Sequence, residues 1–234
     1  MKKKIRIVLL IIFALLMAIS IITLISWSKE NKKVAQIVEE EEKYLVIDEE
    51  EKEKKEEKVY LNKEIFNDNS DTVGWLKIEG TNINYPVVQH SDNEFYLKHD
   101  FKKNNNSAGW IFMDYKNSFD DENIVIYGHH RRDGSMFGDI DLLFKSDFYK
   151  KNDNEIILIR EKEIIRYRIF SVYKISNTEP YNSLNFESFD ETVKELKNKS
   201  QITFDVNLEG ASQIITLSTC HDNNWDRLVV HGVK

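Results

Sequence analysis

Cysteine occurs once in the 234 residues, at Cys220, which excludes an internal disulfide and a cysteine-rich zinc site. Proline occurs only at Pro86 and Pro180, and glycine is sparse. No internal repeat is present, and no low-complexity tract lies outside one charged stretch near the N-terminus. An excess of positive charge is also missing: the formal net charge is -7, which argues against a general nucleic-acid binder. No acidic cluster reads as a calcium loop. Long apolar runs are missing save one, which argues against a multi-span membrane protein. What remains is 41% hydrophobic and 31% charged, enough to bury a sizeable core and too apolar for a wholly disordered chain.

The charge divides the chain. Residues 1–38 carry seven bases against Glu30, whereas 39–58 carry eleven acids against five lysines. From Ile7 to Trp27 there are 21 uncharged residues, mostly aliphatic. At about 1.5 Å per residue they span a hydrocarbon core of roughly 30 Å. The rival is a cleaved signal peptide, whose apolar region is usually only about 7–15 residues. Ala18 and Ser20 are followed by more apolar residues, so an uncleaved anchor is favoured. Lys2, Lys3, Lys4 and Arg6 outweigh Lys29, Lys32 and Lys33, which predicts the N-terminus inside and the remainder outside. The expected organisation is a basic terminus over 1–6, an anchor over 7–27, a charged stalk over 28–58 and a folded domain over 59–234.

The folded part reads as β-rich. Residues 74–78 and 83–88 form two strands around a turn at Glu79-Gly80-Thr81-Asn82. Further strands are expected over 109–113, 123–127, 155–160, 164–173, 202–206, 213–220 and 227–233. Leu61, Ile65 and Phe66 suggest a short helix, and another is expected over 136–144. Ser91-Asp92-Asn93-Glu94 and Ser188-Phe189-Asp190-Glu191 match capping boxes. After the second, Phe186, Phe189, Val193 and Leu196 mark one helical face. Many short strands with few helices suggest a closed or nearly closed β-barrel.

Three residue types carry chemistry. Cys220 ends the run Ile214-Ile215-Thr216-Leu217-Ser218-Thr219-Cys220, and strand alternation puts Thr216, Ser218 and Cys220 on one face. Most free cysteines are small buried hydrophobes, but an unpaired thiol outside a membrane is worth flagging as reactive. If the strands before and after 221–226 pair antiparallel, Arg227 stands near Cys220, where a guanidinium could stabilise a thiolate or an oxyanion. The alternative is a surface arginine paired with Asp226. His129 and His130 follow the strand 124–127 and Gly128, which puts an imidazole at a loop mouth. His90, His99, His221 and His231 are further candidates. A zinc site from His129, His130, Cys220 and His221 has no recognised ligand spacing behind it.

Taken together, Tyr127-Gly128-His129-His130, Thr216-Leu217-Ser218-Thr219-Cys220 and Arg227 resemble the sortases, cysteine transpeptidases that attach proteins to the Gram-positive cell wall. The resemblance covers roughly residues 60–234 and extends to 71–76, 85–89 and 92–97. The His-His pair, Ser218 two before the cysteine and the helix in the 174–200 connection are most similar to class B. The short interval from Cys220 to Arg227 departs from several class B members, which have a longer loop there. The resemblance implies a mainly-β closed eight-stranded barrel with N-terminal helices and an extra helix before the last two strands. It implies Cys220 as nucleophile, His129 as acid and base, Arg227 as oxyanion partner, and Ser218, Asn93, Leu97 and Tyr181 along the substrate groove. It further implies partners: surface proteins with a C-terminal sorting signal of the N/S/P-P-x-T-G/N kind, and an amino group of peptidoglycan or its lipid-linked precursor as acceptor. No metal or organic cofactor is required. The alternatives are a sortase of another class, a hydrolysing cysteine peptidase, or a surface module that uses the barrel only for binding.

Overall fold

The structure, a computed structural model, describes residues 2–47, 59–176, 180–220 and 226–234, with Lys2, Lys3, Ile47, Cys220 and Asp226 described by their backbone. Expectations for the acidic run 48–58 and for His221 lie outside the described residues. The chain opens with one helix, α1 (Lys2–Glu42), followed by the strand pair β1 (Leu45–Ile47) and β2 (Val59–Leu61) and the single turn α2 (Ile65–Asp68). Then come β3 (Thr72–Lys77), β4 (Asn84–Val88), β5 (Phe112–Met113), β6 (Asn123–Gly128), β7 (Glu155–Arg160), β8 (Glu163–Ser176), α3 (Phe189–Lys199), β9 (Ile214–Cys220) and β10 (Asp226–Val233).

Eight strands close into a barrel in the order β10-β8-β7-β3-β4-β5-β6-β9, with β9 pairing back onto β10. Closure removes the sheet edges. Two neighbour pairs are parallel, β4 with β5 and β6 with β9. The interior is filled by aliphatic and aromatic side chains, among them Trp75, Ile126, Tyr167, Phe170, Leu217 and Val230, all essentially inaccessible. The sequence of β8 shows how the layers meet. Ile165 and Tyr167 are buried while Arg166 and Arg168 are exposed, the alternation of a half-solvated strand. From Ile169 to Tyr173 every residue is buried, because α3 covers the outer face there. Ser171 Oγ donates to the Leu196 carbonyl at 2.5 Å, and Val193 and Leu196 supply the helix's apolar side.

Several expectations change in detail. Residues 202–206 form no strand and pair with none, although Phe204 and Val206 are buried. Their apolar alternation reflects packing onto the domain, not a ladder. The 136–144 segment is a 3-10 helix starting at Gly138. Before the 3-10 turn Phe95–Leu97, the capping oxygen comes from Asp92, which accepts from the amides of Glu94 and Phe95 at 2.7 Å; Ser91 faces His90 instead.

The apolar part of α1 stands exposed and is long enough to cross a membrane. Its last turns do not stand free. Val34, Ile37 and Glu41 are buried against the barrel, three side chains at helical spacing on one face.

Candidate active site

The ends of β6, β9 and β10 build the site. In the parallel β6–β9 ladder Tyr127 lies opposite Ser218 and Gly128 opposite Thr219. His129 follows immediately, level with the end of β9 at Cys220. In the antiparallel β9–β10 ladder Cys220 lies directly opposite Arg227. Histidine, cysteine and arginine thus come from three neighbouring strands at one end of the barrel. Arg227 is partly exposed, while Leu228, Val229 and Val230 behind it are fully buried and fix its strand.

The His129 ring is held by one bond. Its Nε2 lies 2.8 Å from the Leu97 carbonyl, an acceptor only, so that nitrogen carries the hydrogen. Nδ1 makes no hydrogen bond among the described residues and is left for proton exchange. Gly109 makes this approach possible. Its φ is +62°, and a Cβ there would lie 2.6 Å from the Tyr96 carbonyl and 2.8 Å from His129 Cδ2. His130 turns elsewhere, with Nε2 2.8 Å from Asp141 Oδ2 on the 138–144 segment. The two adjacent histidines are therefore separated by geometry: one bonds the Leu97 carbonyl, the other a carboxylate.

The residues expected along a groove are drawn into contact. Ser218, buried, donates from Oγ to the Tyr181 hydroxyl at 2.8 Å. Asn93 donates from Nδ2 to Asp114 Oδ2 at 2.9 Å and accepts from the Tyr115 amide with Oδ1. Leu97 is partly buried against the core and enters the site through its backbone carbonyl. Three residues absent from the sequence expectations tie these together. Asp114 Oδ2 also accepts from the Tyr127 hydroxyl at 3.1 Å, and Asn182 donates to that hydroxyl at 2.9 Å. Burial pushes the Tyr127 phenol's pKa up and the Asp114 carboxylate adds to the shift, so the phenol stays protonated. Tyr127 was visible as the residue two before His129; Asp114 carried no local signal.

Further along the same face of β9 lies a second, buried chain. Thr216 Oγ1 donates to Asn123 Oδ1 at 2.7 Å and contacts His231 Nδ1 at 2.9 Å; His231 Nε2 meets the Tyr173 hydroxyl at 2.9 Å. The Thr216 proton is spent on Asn123, so Nδ1 donates and Nε2 accepts. Asn123 Nδ2 donates in turn to the Ser183 carbonyl, two residues from Tyr181. No cluster of His, Cys, Asp and Glu able to hold a metal exists among the described residues.

A sortase domain family model matches residues 76–234. Sortase B of Listeria monocytogenes is 37% identical over 174 residues, 70% of this chain and 70% of that protein. The crystal structure of Clostridium perfringens sortase B superposes with a TM-score of 0.68 at 36% identity, covering 73% of this chain and 97% of the other. A Staphylococcus aureus sortase B–substrate complex gives 0.68 at 30% identity, covering 88% and 93%. Fold, matched length and identity agree: the chain belongs to the sortase family of cysteine transpeptidases, and the relatives it resembles are of class B.

Proposed function

We propose that Cys220, His129 and Arg227 carry the transpeptidation. The observation behind this is the register that puts Cys220 opposite Arg227 and His129 at the end of the adjoining strand. The Cys220 thiolate attacks the carbonyl carbon after the Thr of a sorting signal. The resulting oxyanion is held by the Arg227 guanidinium. His129 delivers a proton from Nδ1 to the departing amine, and a thioester to Cys220 remains. An incoming amine gives its proton back to His129 Nδ1 and displaces the thiolate, which leaves a new amide. The Leu97 carbonyl keeps the imidazole aimed through both steps.

Ser218 and Tyr181, joined by their hydroxyls, and Asn93 and Leu97 line the path of the signal peptide in this reading. The clients are surface proteins with a signal related to N/S/P-P-x-T-G/N, and the acceptor is a peptidoglycan amino group or that of its lipid-linked precursor. The apolar stretch of α1 anchors the enzyme, and the basic flank at 2–6 keeps the N-terminus inside and the barrel outside.

The test is mass spectrometry of the full chain in detergent, incubated with a small library of sorting-signal peptides and an amine. A thioacyl adduct on Cys220, absent in Cys220→Ala, with cleavage after Thr is expected. His129→Ala should leave the protein folded and without turnover. No adduct from any peptide, together with a Cys220 inert to alkylation, would replace this reading with that of a binding module.

A further inference from the structure

The apolar part of α1 ends at Trp27, and the helix continues unbroken to Glu42. Contact with the barrel starts within one turn. Glu30 accepts from the Ser107 hydroxyl, and Asn31 Oδ1 accepts from the Arg131 guanidinium at 2.5 Å. Lys33 pairs with the buried carboxylate of Asp100 at 2.7 Å. Glu41 accepts from Lys102, and Glu42 from Asn84 at 2.7 Å. The helix is thus clamped at both ends of its docked half. At about 1.5 Å per residue, Asn31 lies only about 6 Å beyond Trp27 along the axis. The polar layer of each leaflet is itself roughly 5–7 Å deep. Loops 105–107 and 130–134 are therefore carried at headgroup height.

The charge at that height is suited to it. Lys29, Lys32, Lys33, Arg131 and Arg132 stand there, and the acids beside them are taken up within the protein: Asp100 by Lys33, Asp133 by Arg131 and Ser135, Glu30 by Ser107, Asp139 by the Asn82 amide and Asp141 by His130. Lys29, Lys32 and Arg132 are exposed and bond to no part of the barrel among the described residues. We propose that this basic rim rests on the anionic phosphates of membrane lipids and seats the His129 end of the barrel on the bilayer, not on a loose tether. The inference rests on α1 being a membrane anchor. Arg131 and Arg132 follow His129 by two and three residues, so the seat and the histidine loop are one piece of chain. A lipid-borne acceptor would then meet the site without leaving the surface.

The experiment uses the full chain in liposomes of phosphatidylcholine alone or mixed with phosphatidylglycerol. Single fluorophores are placed on cysteines at Leu16, Asn105 or Glu209 in a Cys220→Ala background. Glu209 precedes β9 at the end of the barrel opposite Cys220. Quenchers are attached to lipid headgroups or acyl chains. Strong headgroup quenching at Asn105 and little at Glu209 is expected in the anionic vesicles. Each cation at an anionic surface is worth about fivefold. Removing three with Lys29→Gln, Lys32→Gln and Arg132→Gln should lower the seated-to-free ratio by on the order of a hundredfold, moving Asn105 toward Glu209. Equal quenching at Asn105 and Glu209 overturns the seat. Quenching indifferent to both phosphatidylglycerol and the triple variant overturns lipid-phosphate recognition. An acyl-chain quencher that fails to reach Leu16 refutes the anchor itself, a separate result.

Discussion

Gly109 carries two demands at once, a left-handed backbone and room for the His129 ring. Gly109→Ala should cost about 1–3 kcal/mol of stability through its φ alone. The displaced ring should cost more in function, about ten- to a hundredfold in kcat/KM, because a shift near 1 Å is that expensive at a reacting group. Urea unfolding alongside turnover separates the two; stability loss with normal turnover would mean that His129 does not depend on this contact. His231 offers a pH prediction. Burial pushes its pKa down to about 3, with Lys199 adding, against 6.5 for a free imidazole. In the unfolded chain it takes up a proton below pH 6.5 that the native state refuses until about pH 3. Native stability should therefore fall with pH across that window, by up to about 1.4 kcal/mol per unit from this group. His231→Gln should flatten the slope there, measured as urea midpoints of the two proteins; parallel curves would contradict the neutral, doubly bonded ring. At this scale the sequence left His129 and His130 to the family resemblance. What separates the two imidazoles is a carbonyl 32 residues upstream of His129, at Leu97, and no local pattern encodes that.

Elements were more legible than their contacts. The α3 helix starts at the residue its capping pattern named: Ser188 is extended, and its hydroxyl accepts from the Glu191 amide at 3.4 Å. Val193 and Leu196 then face β8 as their spacing required. Ser188→Ala should cost about 1 kcal/mol, the usual worth of such a cap. Loosening the end of α3 nearest Tyr181 should also raise KM more than it lowers kcat. A change confined to kcat would argue against any role of the connection in holding substrate. The same alternating pattern misled at 202–206, where Phe204 and Val206 bury themselves without a ladder partner. Alternation reports which side chains are inside. It does not report whether a neighbouring strand is there to receive the backbone bonds.

At the scale of the whole chain, barrel closure depends on pairs far apart in sequence, above all the parallel β6–β9 ladder from Asn123–Ile214 to Gly128–Thr219. Local pattern yields the strands, the family resemblance supplied the closed eight-stranded barrel, and the order of the strands comes from the structure alone. The docked half of α1 was hidden differently. Val34, Ile37 and Val38 keep helical spacing, but the bases before them and the four glutamates after them dominate the segment, so it read as a solvated stalk. The structure gives that half a place in the core, and this leads to a direct comparison of soluble fragments. One beginning at residue 28 keeps Val34, Ile37, Tyr44 and β1; one beginning at 59 loses all of them and uncovers Asp100 and Leu61. Burying Val34 and Ile37 alone is worth about 1.5–3 kcal/mol each, an upper figure since the unfolded chain already hides part of that surface. The longer fragment should therefore be more stable by about 3–6 kcal/mol. It should also show a steeper urea dependence, because more surface is exposed when it unfolds. Equal midpoints would make the helix a bystander. A shorter fragment that folds yet reacts slowly with sorting-signal peptides would locate the loss in the 130–134 loop, whose Arg131 has then lost Asn31.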